Sequence, residues 1–254
     1  MNDFLQFCIE RESIREKKER GEPFPWTSDP ILQRHKFTNI NRNDDKGTVL
    51  LFNLVAKCKT LYDILKAVSV YRMSGSLNNH IFMMEKIPSN LWFSELKKSK
   101  KFFNQTAYQC NWPKGHDSAR HFLTEVLESI IDEYYAKLMS CNNITILEGA
   151  KIMCDLFTKY KYKRMSFQAT EICKDLAYLT PWIDKESECK LGPGALKGLK
   201  LIFNTPNPIN MKQLLNCTNY NWSTLEHGLC EYSKYCEFKS GKRHKDTKLY
   251  KIAQ

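Results

Sequence analysis

The chain has 254 residues, 42% of them hydrophobic and 26% charged, and its 39 basic against 28 acidic residues leave a formal net charge of +11. These proportions exclude a disordered chain and a repeat fibre, and the length suffices to bury a core in one large domain or two small ones. No run approaches the ~18 apolar residues a membrane span needs. Met1–Glu10 lacks the basic start and apolar centre of a signal peptide. The expectation is an intracellular protein with no membrane partner. Its ten cysteines are then expected to be reduced. With no C-x-x-C and no matching His spacing, they offer no zinc framework. The Asn-x-Ser/Thr triplets at Asn104, Asn143, Asn216 and Asn221 read as chance matches.

In chain order, Phe4, Phe7 and Cys8 stand at helical spacing, followed by a charged run of helix formers to Glu19. Gly21-Glu22-Pro23-Phe24-Pro25 ends that helix. Ser28-Asp29-Pro30 offers a cap with proline at the first helical position, opening a short turn. Periodic apolar residues predict helices over Thr48–Lys59 and Leu61–Tyr71. A long helix follows over Ser118–Met139, with Phe122, Val126, Ile130, Tyr134 and Leu138 on one face. Thr145–Tyr160 and Ser166–Leu179 are two more. Convincing strands are missing, and only ten glycines argue against a Gly-rich β or nucleotide-binding sheet fold. The fold class expected is all-α, as one helical domain over 1–238 and a basic tail over 239–254.

The positive charge is clustered. Lys97, Lys98, Lys100 and Lys101 form one run. Lys159, Lys161, Lys163 and Arg164 alternate with Tyr160 and Tyr162. The tail carries Lys239, Lys242, Arg243, Lys245, Lys248 and Lys251 against Asp246 alone. Each run read singly is as well explained by a solvated face; together with the net charge they point to the phosphates of a nucleic acid. Leu191-Gly192-Pro193-Gly194-Ala195-Leu196-Lys197-Gly198-Leu199 reads as a Gly-rich turn entering a helix. Its backbone N–H groups suit a phosphate, as in helix-hairpin-helix elements, and a plain inter-helix turn explains it as often.

A larger pattern runs through the chain. It comprises Phe24-Pro25-Trp26-Thr27-Ser28-Asp29-Pro30-Ile31-Leu32, then Phe37-Thr38-Asn39-Ile40-Asn41-Arg42-Asn43-Asp44-Asp45. It continues with Met165-Ser166-Phe167-Gln168 through Asp175-Leu176, the Gly192-Pro193-Gly194-Ala195 turn with Gly198-Leu199, and Leu225-Glu226-His227-Gly228-Leu229-Cys230-Glu231-Tyr232 with Lys234-Tyr235. In order and coverage, from about Phe4 to Tyr250, it resembles the helical domain associated with 5-hydroxymethyl-deoxyuridine DNA kinases. The same domain defines the alpha-glutamyl/putrescinyl thymine pyrophosphorylases of bacteriophages. Gly75–Ser118 departs from the pattern.

The resemblance implies a helical fold related to helix-hairpin-helix DNA glycosylases and a part in thymine hypermodification. A kinase phosphorylates or pyrophosphorylates 5-hydroxymethyluracil in DNA, and the helical enzyme displaces that group with an amine from an amino acid or polyamine. The chain carries no G-x-x-x-x-G-K-[ST], so the expected member is the transferase. Its partners are DNA carrying modified thymine, the amine donor and a 5-hydroxymethyluracil DNA kinase. A phage protein would work in the host cytoplasm and a eukaryotic one in the nucleus. No cofactor site is evident, although Mg²⁺ would suit a pyrophosphate leaving group.

Such chemistry needs a flipped-out base, a cation for the leaving group and a base for the amine proton. Arg42, then Lys234, are the candidate cations. Asp45, Asp175, Glu226 and His227 are the candidate bases. Gln168 could read the uracil edge, and Trp26 or Phe37 could stack on it. Gly192, Gly194, Lys197, Gly198, Lys242 and Arg243 are the candidate DNA contacts. Bland readings stand beside these: an Arg42–Asp45 ion pair, Thr38 and Asn39 as a helix cap, Asp175 paired with Lys174 or Arg164 at the surface, Glu226 and His227 as a capping and packing pair, Trp26 in the core, Cys230 as a buried inert thiol rather than a nucleophile. Two other functions compete. A glycosylase would need an acid shortly after the hairpin, and Gly198–Trp222 has none. A non-catalytic modified-DNA-binding module would use the basic tail equally well.

Overall fold

A computed structural model describes residues 1–74, 85–98, 121–163 and 165–242. The described chain is all-α apart from two two-residue strands, β1 (Ile144–Thr145) and β2 (Ile183–Asp184), paired in parallel. It divides into two compact units. One joins Met1–Asp45 to Leu191–Gln254, and the other is Lys46–Lys190.

In the discontinuous unit, α1 (Asn2–Glu19) buries Phe4, Phe7, Cys8, Arg11 and Ile14, an i, i+3, i+4 stripe. It stops where Gly21 takes φ +73°, a conformation glycine alone adopts cheaply. Asp29 caps α2 (Pro30–Arg34), accepting from the N–H groups of Ile31 at 2.8 Å and Leu32 at 2.9 Å. A 3₁₀ turn, Arg42–Asp44, follows. Its cap is Asn41, which accepts from Asn43 N–H at 3.1 Å. Thr38 and Asn39, expected as the cap, bond elsewhere. Beyond the other unit come α9 (Pro193–Phe203), α10 (Pro208–Asn216) and α11 (Trp222–Lys239), with Pro193 and Pro208 at first-turn positions. Helix α9 packs along α11. A methyl on Gly198 would run into the Leu229 carbonyl, and one on Gly194 into the Cys230 sulfur. The two glycines, one turn apart, thus set how closely the helices approach.

The continuous unit holds α3 (Lys46–Val55), α4 (Leu61–Ser74), α5 (Trp92–Lys98), α6 (Leu127–Met139), α7 (Ile146–Lys159) and α8 (Ser166–Leu179). The helix expected from Thr48 to Lys59 ends early, at Val55, where the chain turns into Thr60, whose hydroxyl accepts from Asp63 N–H to open α4. The long helix expected from Ser118 begins, within the described residues, as a π-helical turn, Phe122–Val126, before becoming α6. A capping box closes the start of α7, with Thr145 and Glu148 each accepting from the other's backbone. Tyr134 is fully buried and donates to the Gly149 carbonyl at 3.1 Å, with Cys173 Sγ at 3.2 Å.

Candidate functional site

The continuous unit concentrates its unusual chemistry on two helices that pack together, α4 and α8. Helix α4 is buried on every side from Leu65 to Met73, yet it carries Lys66 at 2%, Ser69 at 0% and Arg72 at 3% exposure. Helix α8 buries Gln168, Glu171, Lys174 and Asp175. Arg72 clamps both Asp175 oxygens, donating from Nε at 2.5 Å and Nη2 at 3.0 Å, and reaches Thr48 Oγ1 on α3 at 3.1 Å. Lys174 donates to Glu171 Oε1 at 3.0 Å. Lys66 lies 3.5 Å from Glu128 of α6 and 4.7 Å from the centre of the Phe93 ring. Ion pairs withdrawn from water this far gain little net stability, and such groups cluster at functional sites.

Two of the expected residues, Gln168 and Asp175, belong to this cluster. The surface location expected for Asp175 is corrected, since it is fully buried and accepts from Arg72 of α4; Arg164, one of the two partners expected for it, lies outside the described residues. Both Asp175 oxygens accept from Arg72, which fixes that guanidinium against α8. Beside this layer a cleft of about 340 Å³ is lined by Leu54, Cys58, Asp63 and Trp92 among others, a size at the lower end of small-ligand sites.

The remaining expected residues lie in the discontinuous unit. Glu226 accepts from Gly192 N–H at 3.1 Å, so a carboxylate already stands at the start of α9. His227 Nε2 shares a hydrogen bond of 2.8 Å with Thr38 Oγ1. The Thr38 N–H donates to the buried Glu231 at 3.2 Å, and Lys234 pairs with the same carboxylate. His227, Glu231 and Lys234 thus form one stripe of α11, at i, i+4 and i+7, over which the Phe37–Ile40 segment is laid. From the other side Arg11 donates to the Phe37 carbonyl at 2.8 Å and to Asn39 Oδ1 at 2.7 Å, and Glu12 accepts from Ile40 N–H at 3.0 Å. Arg42 is buried at 5% exposure in the turn that follows, and Asp45 closes that turn, donating its N–H to the Arg42 carbonyl at 3.1 Å. Trp26, expected in the core, is half-buried at the surface, its indole N–H on the Glu22 carbonyl and Lys18 over its ring. Cys230 sits half-buried beneath Gly194.

Among the candidate DNA contacts, Lys197 and Lys242 are exposed, Lys197 3.5 Å from Glu237. Arg243 lies outside the described residues, as do Lys100, Lys101 and Arg164. Parts of two basic runs are neutralised locally: Lys97 by Glu125, Lys98 by Glu95, and Lys159 by Glu133. Among the described residues, no three His, Cys, Asp or Glu side chains converge on a metal-sized site.

Sequence reasoning did not single out Lys66, Ser69, Arg72, Glu171 or Glu231, and weighed Lys174 only as a partner of Asp175. The signal for the first three was present, as polar residues at i, i+3 and i+6 within Leu65–Met73, a stretch whose other residues are apolar or aromatic.

These features define an all-α protein that draws several charged side chains, among them Lys66, Arg72, Lys174 and Asp175, into its helix packing. Residues 1–224 match the family model of the 5-hmdU DNA kinase, helical domain. The chain belongs to that family. The matched span takes in both α8 and the Phe37–Asp45 segment; the Leu225–Tyr235 motif follows directly after it. Comparison with curated proteins and comparison with solved structures each found no match.

Proposed function

We propose that the protein works in thymine hypermodification, transferring an amine from an amino acid or polyamine onto a phosphorylated or pyrophosphorylated 5-hydroxymethyluracil in DNA. Membership of the 5-hydroxymethyluracil DNA kinase helical-domain family over residues 1–224 carries this reading. In the reaction the amine nitrogen bonds to the exocyclic methylene, the carbon–oxygen bond breaks, and phosphate or pyrophosphate leaves with that electron pair. The nitrogen's surplus proton passes to a side-chain base. The base must be out of the stack, which fits helix-hairpin-helix glycosylase-like handling of DNA.

Arg42 or Lys234 would meet the leaving group, and Asp45, Glu226 or His227 would take the proton. Gln168 would read the uracil edge, and Asp175 would hold Arg72 in place. Gly192 and Gly194, with Lys197 and Gly198 on α9, then Lys242 and Arg243, would meet DNA phosphates. The functional domain would be 1–238, with 239–254 as its DNA-attracting tail. A kinase would supply the substrate, and Mg²⁺ would accompany a pyrophosphate leaving group.

The test is mass spectrometry of nucleosides from DNA carrying 5-phosphomethyl- or 5-pyrophosphorylmethyl-uracil, incubated with pooled amino acids and polyamines. A new aminated nucleoside, absent with Arg42→Ala, is expected. Unchanged nucleosides with tight DNA binding would overturn the transferase in favour of a binding module, and free base in solution would overturn it in favour of a glycosylase.

A further inference from the structure

Lys66 stands apart from the other buried cations of the continuous unit. Arg72 is held by the fully buried Asp175, and Lys174 by Glu171, itself 5% exposed. Lys66 is as buried as either, but the acid facing it is Glu128, whose side chain is 47% exposed and 3.5 Å away. The rest of its surroundings include the Phe93 face. A desolvated ammonium whose counter-charge stays in water is poorly compensated.

One turn along α4, Ser69 is fully buried, and its hydroxyl has no hydrogen-bond partner. At helical spacing it lies between Lys66, directed to α6, and Arg72, directed to α8. Two adjacent polar groups, each under-satisfied, thus occur in a helix whose other buried neighbours, Leu65, Ala67, Val68 and Val70, are apolar. The acid opposite Lys66 stands two residues past the end of the π-helical turn Phe122–Val126. Such turns cost stability and recur at functional sites.

We propose that Lys66 and Ser69 form the receiving site for a phosphoryl group, with Arg72 fixed by Asp175 as its positioning neighbour. The ligand class is a free phosphate or pyrophosphate, such as the transfer would release; the group still on the base is the one Arg42 or Lys234 would meet. An ammonium and a hydroxyl donor suit its charge and its acceptor oxygens. Entry of the dianion would give Lys66 a second counter-charge beside the half-exposed Glu128, and Ser69 an acceptor. The proposal rests on the transfer reaction for its biological substrate, but the binding site can be tested without that reaction.

The experiment is titration of the full-length protein with inorganic pyrophosphate and phosphate, followed by calorimetry and ³¹P line width, together with thermal melting. The variants are Lys66→Met, Ser69→Ala and the exposed-lysine control Lys137→Met. Lys66→Met should weaken pyrophosphate binding at least tenfold and Ser69→Ala several-fold, both melting at or above the wild-type temperature. Lys137→Met should bind as wild type.

Wild-type affinity in Lys66→Met would overturn the site. So would an equal loss in Lys137→Met, which would reduce the effect to surface charge, or a lowered melting temperature with binding retained, which would make Lys66 purely structural. DNA bearing the phosphorylated base separates the site from the reaction. Pyrophosphate binding through Lys66 without an aminated nucleoside would leave the site standing and remove the transferase. Amination by both wild type and Lys66→Met would do the reverse.

Discussion

Replacing Arg72 by leucine tests whether α4 and α8 are joined through a buried ion pair. The guanidinium makes two bonds to Asp175, at 2.5 and 3.0 Å, and one to Thr48 at 3.1 Å, and the paired side chains are 3% and 0% exposed. Without it the buried Asp175 carboxylate loses both bonds from the guanidinium, at a cost of roughly 3–5 kcal/mol. At about 2–4 °C per kcal/mol for a domain of this size, the melting temperature should fall by roughly 6–20 °C. Asp175→Leu should cost a similar amount by removing the acid that accepts two bonds from Arg72. The double variant removes both charges and should return to within about 2 kcal/mol of wild type, because a well-packed apolar pair replaces a buried ionic one at little net cost. Urea unfolding followed by circular dichroism gives all four corners of the cycle. Single losses below about 1 kcal/mol that simply add would refute the reasoning, since that is how a solvent-exposed pair behaves.

Gly198→Ala should cost about 1–3 kcal/mol by forcing α9 off the Leu229 carbonyl, measured as a lowered urea midpoint; Gly194→Ala should cost less, because a cysteine sulfur can rotate away and a backbone carbonyl cannot. Glu231→Ala should cost about 1–3 kcal/mol and speed hydrogen exchange at the Thr38 amide, whose acceptor it removes. Burial, more than any charge, pushes the Cys8 and Cys173 thiols up to about 12 from an ordinary 9.0. Their contribution to stability is therefore full below pH 9 and lost as pH rises towards 12, which an alkaline unfolding series would show. Among the described cysteines, alkylation at pH 8 should mark the exposed Cys217 first and leave Cys8 and Cys173 unlabelled until the chain unfolds, as peptide mapping would reveal.

Much of the helical framework was legible because it is written in local chemistry. The bounds of α8 are those its apolar spacing indicated, and α1 stops at the glycine that could end it. Asp29-Pro30 opens α2 as a cap and first-turn proline should. What failed depended on distant partners. Nothing local says that Thr38 and Asn39 will bond to α11 and α1 and leave Asn41 to cap the turn. The π-helical turn at Phe122 was hidden because one extra residue barely disturbs an apolar stripe. Lys66, Ser69 and Arg72 were visible as letters, but polar residues on a helix ordinarily mark its wet face. Only the packing of α4 on all sides turns that stripe into an internal one. The Gly192–Gly198 segment carries a role its letters did not show. Beyond any phosphate contact, Gly194 and Gly198 make room for α11.

The interrupted unit sets an order of assembly. Its first part, Met1–Asp45, leaves the ribosome before the whole of Lys46–Lys190, and its second part, from Leu191, comes after. The apolar stripe of α1, including Phe4 and Phe7, meets Tyr232 and Tyr235 of α11. During synthesis that stripe must therefore wait for a partner almost a full chain length away. The inserted unit is continuous and can condense while the ribosome is still working. Once condensed it draws the ends of the long connection together and lowers the entropy cost of closing it. A premature stop anywhere before α11 would leave the early helix with its aromatic side chains uncovered, an invitation to aggregate rather than a smaller working protein.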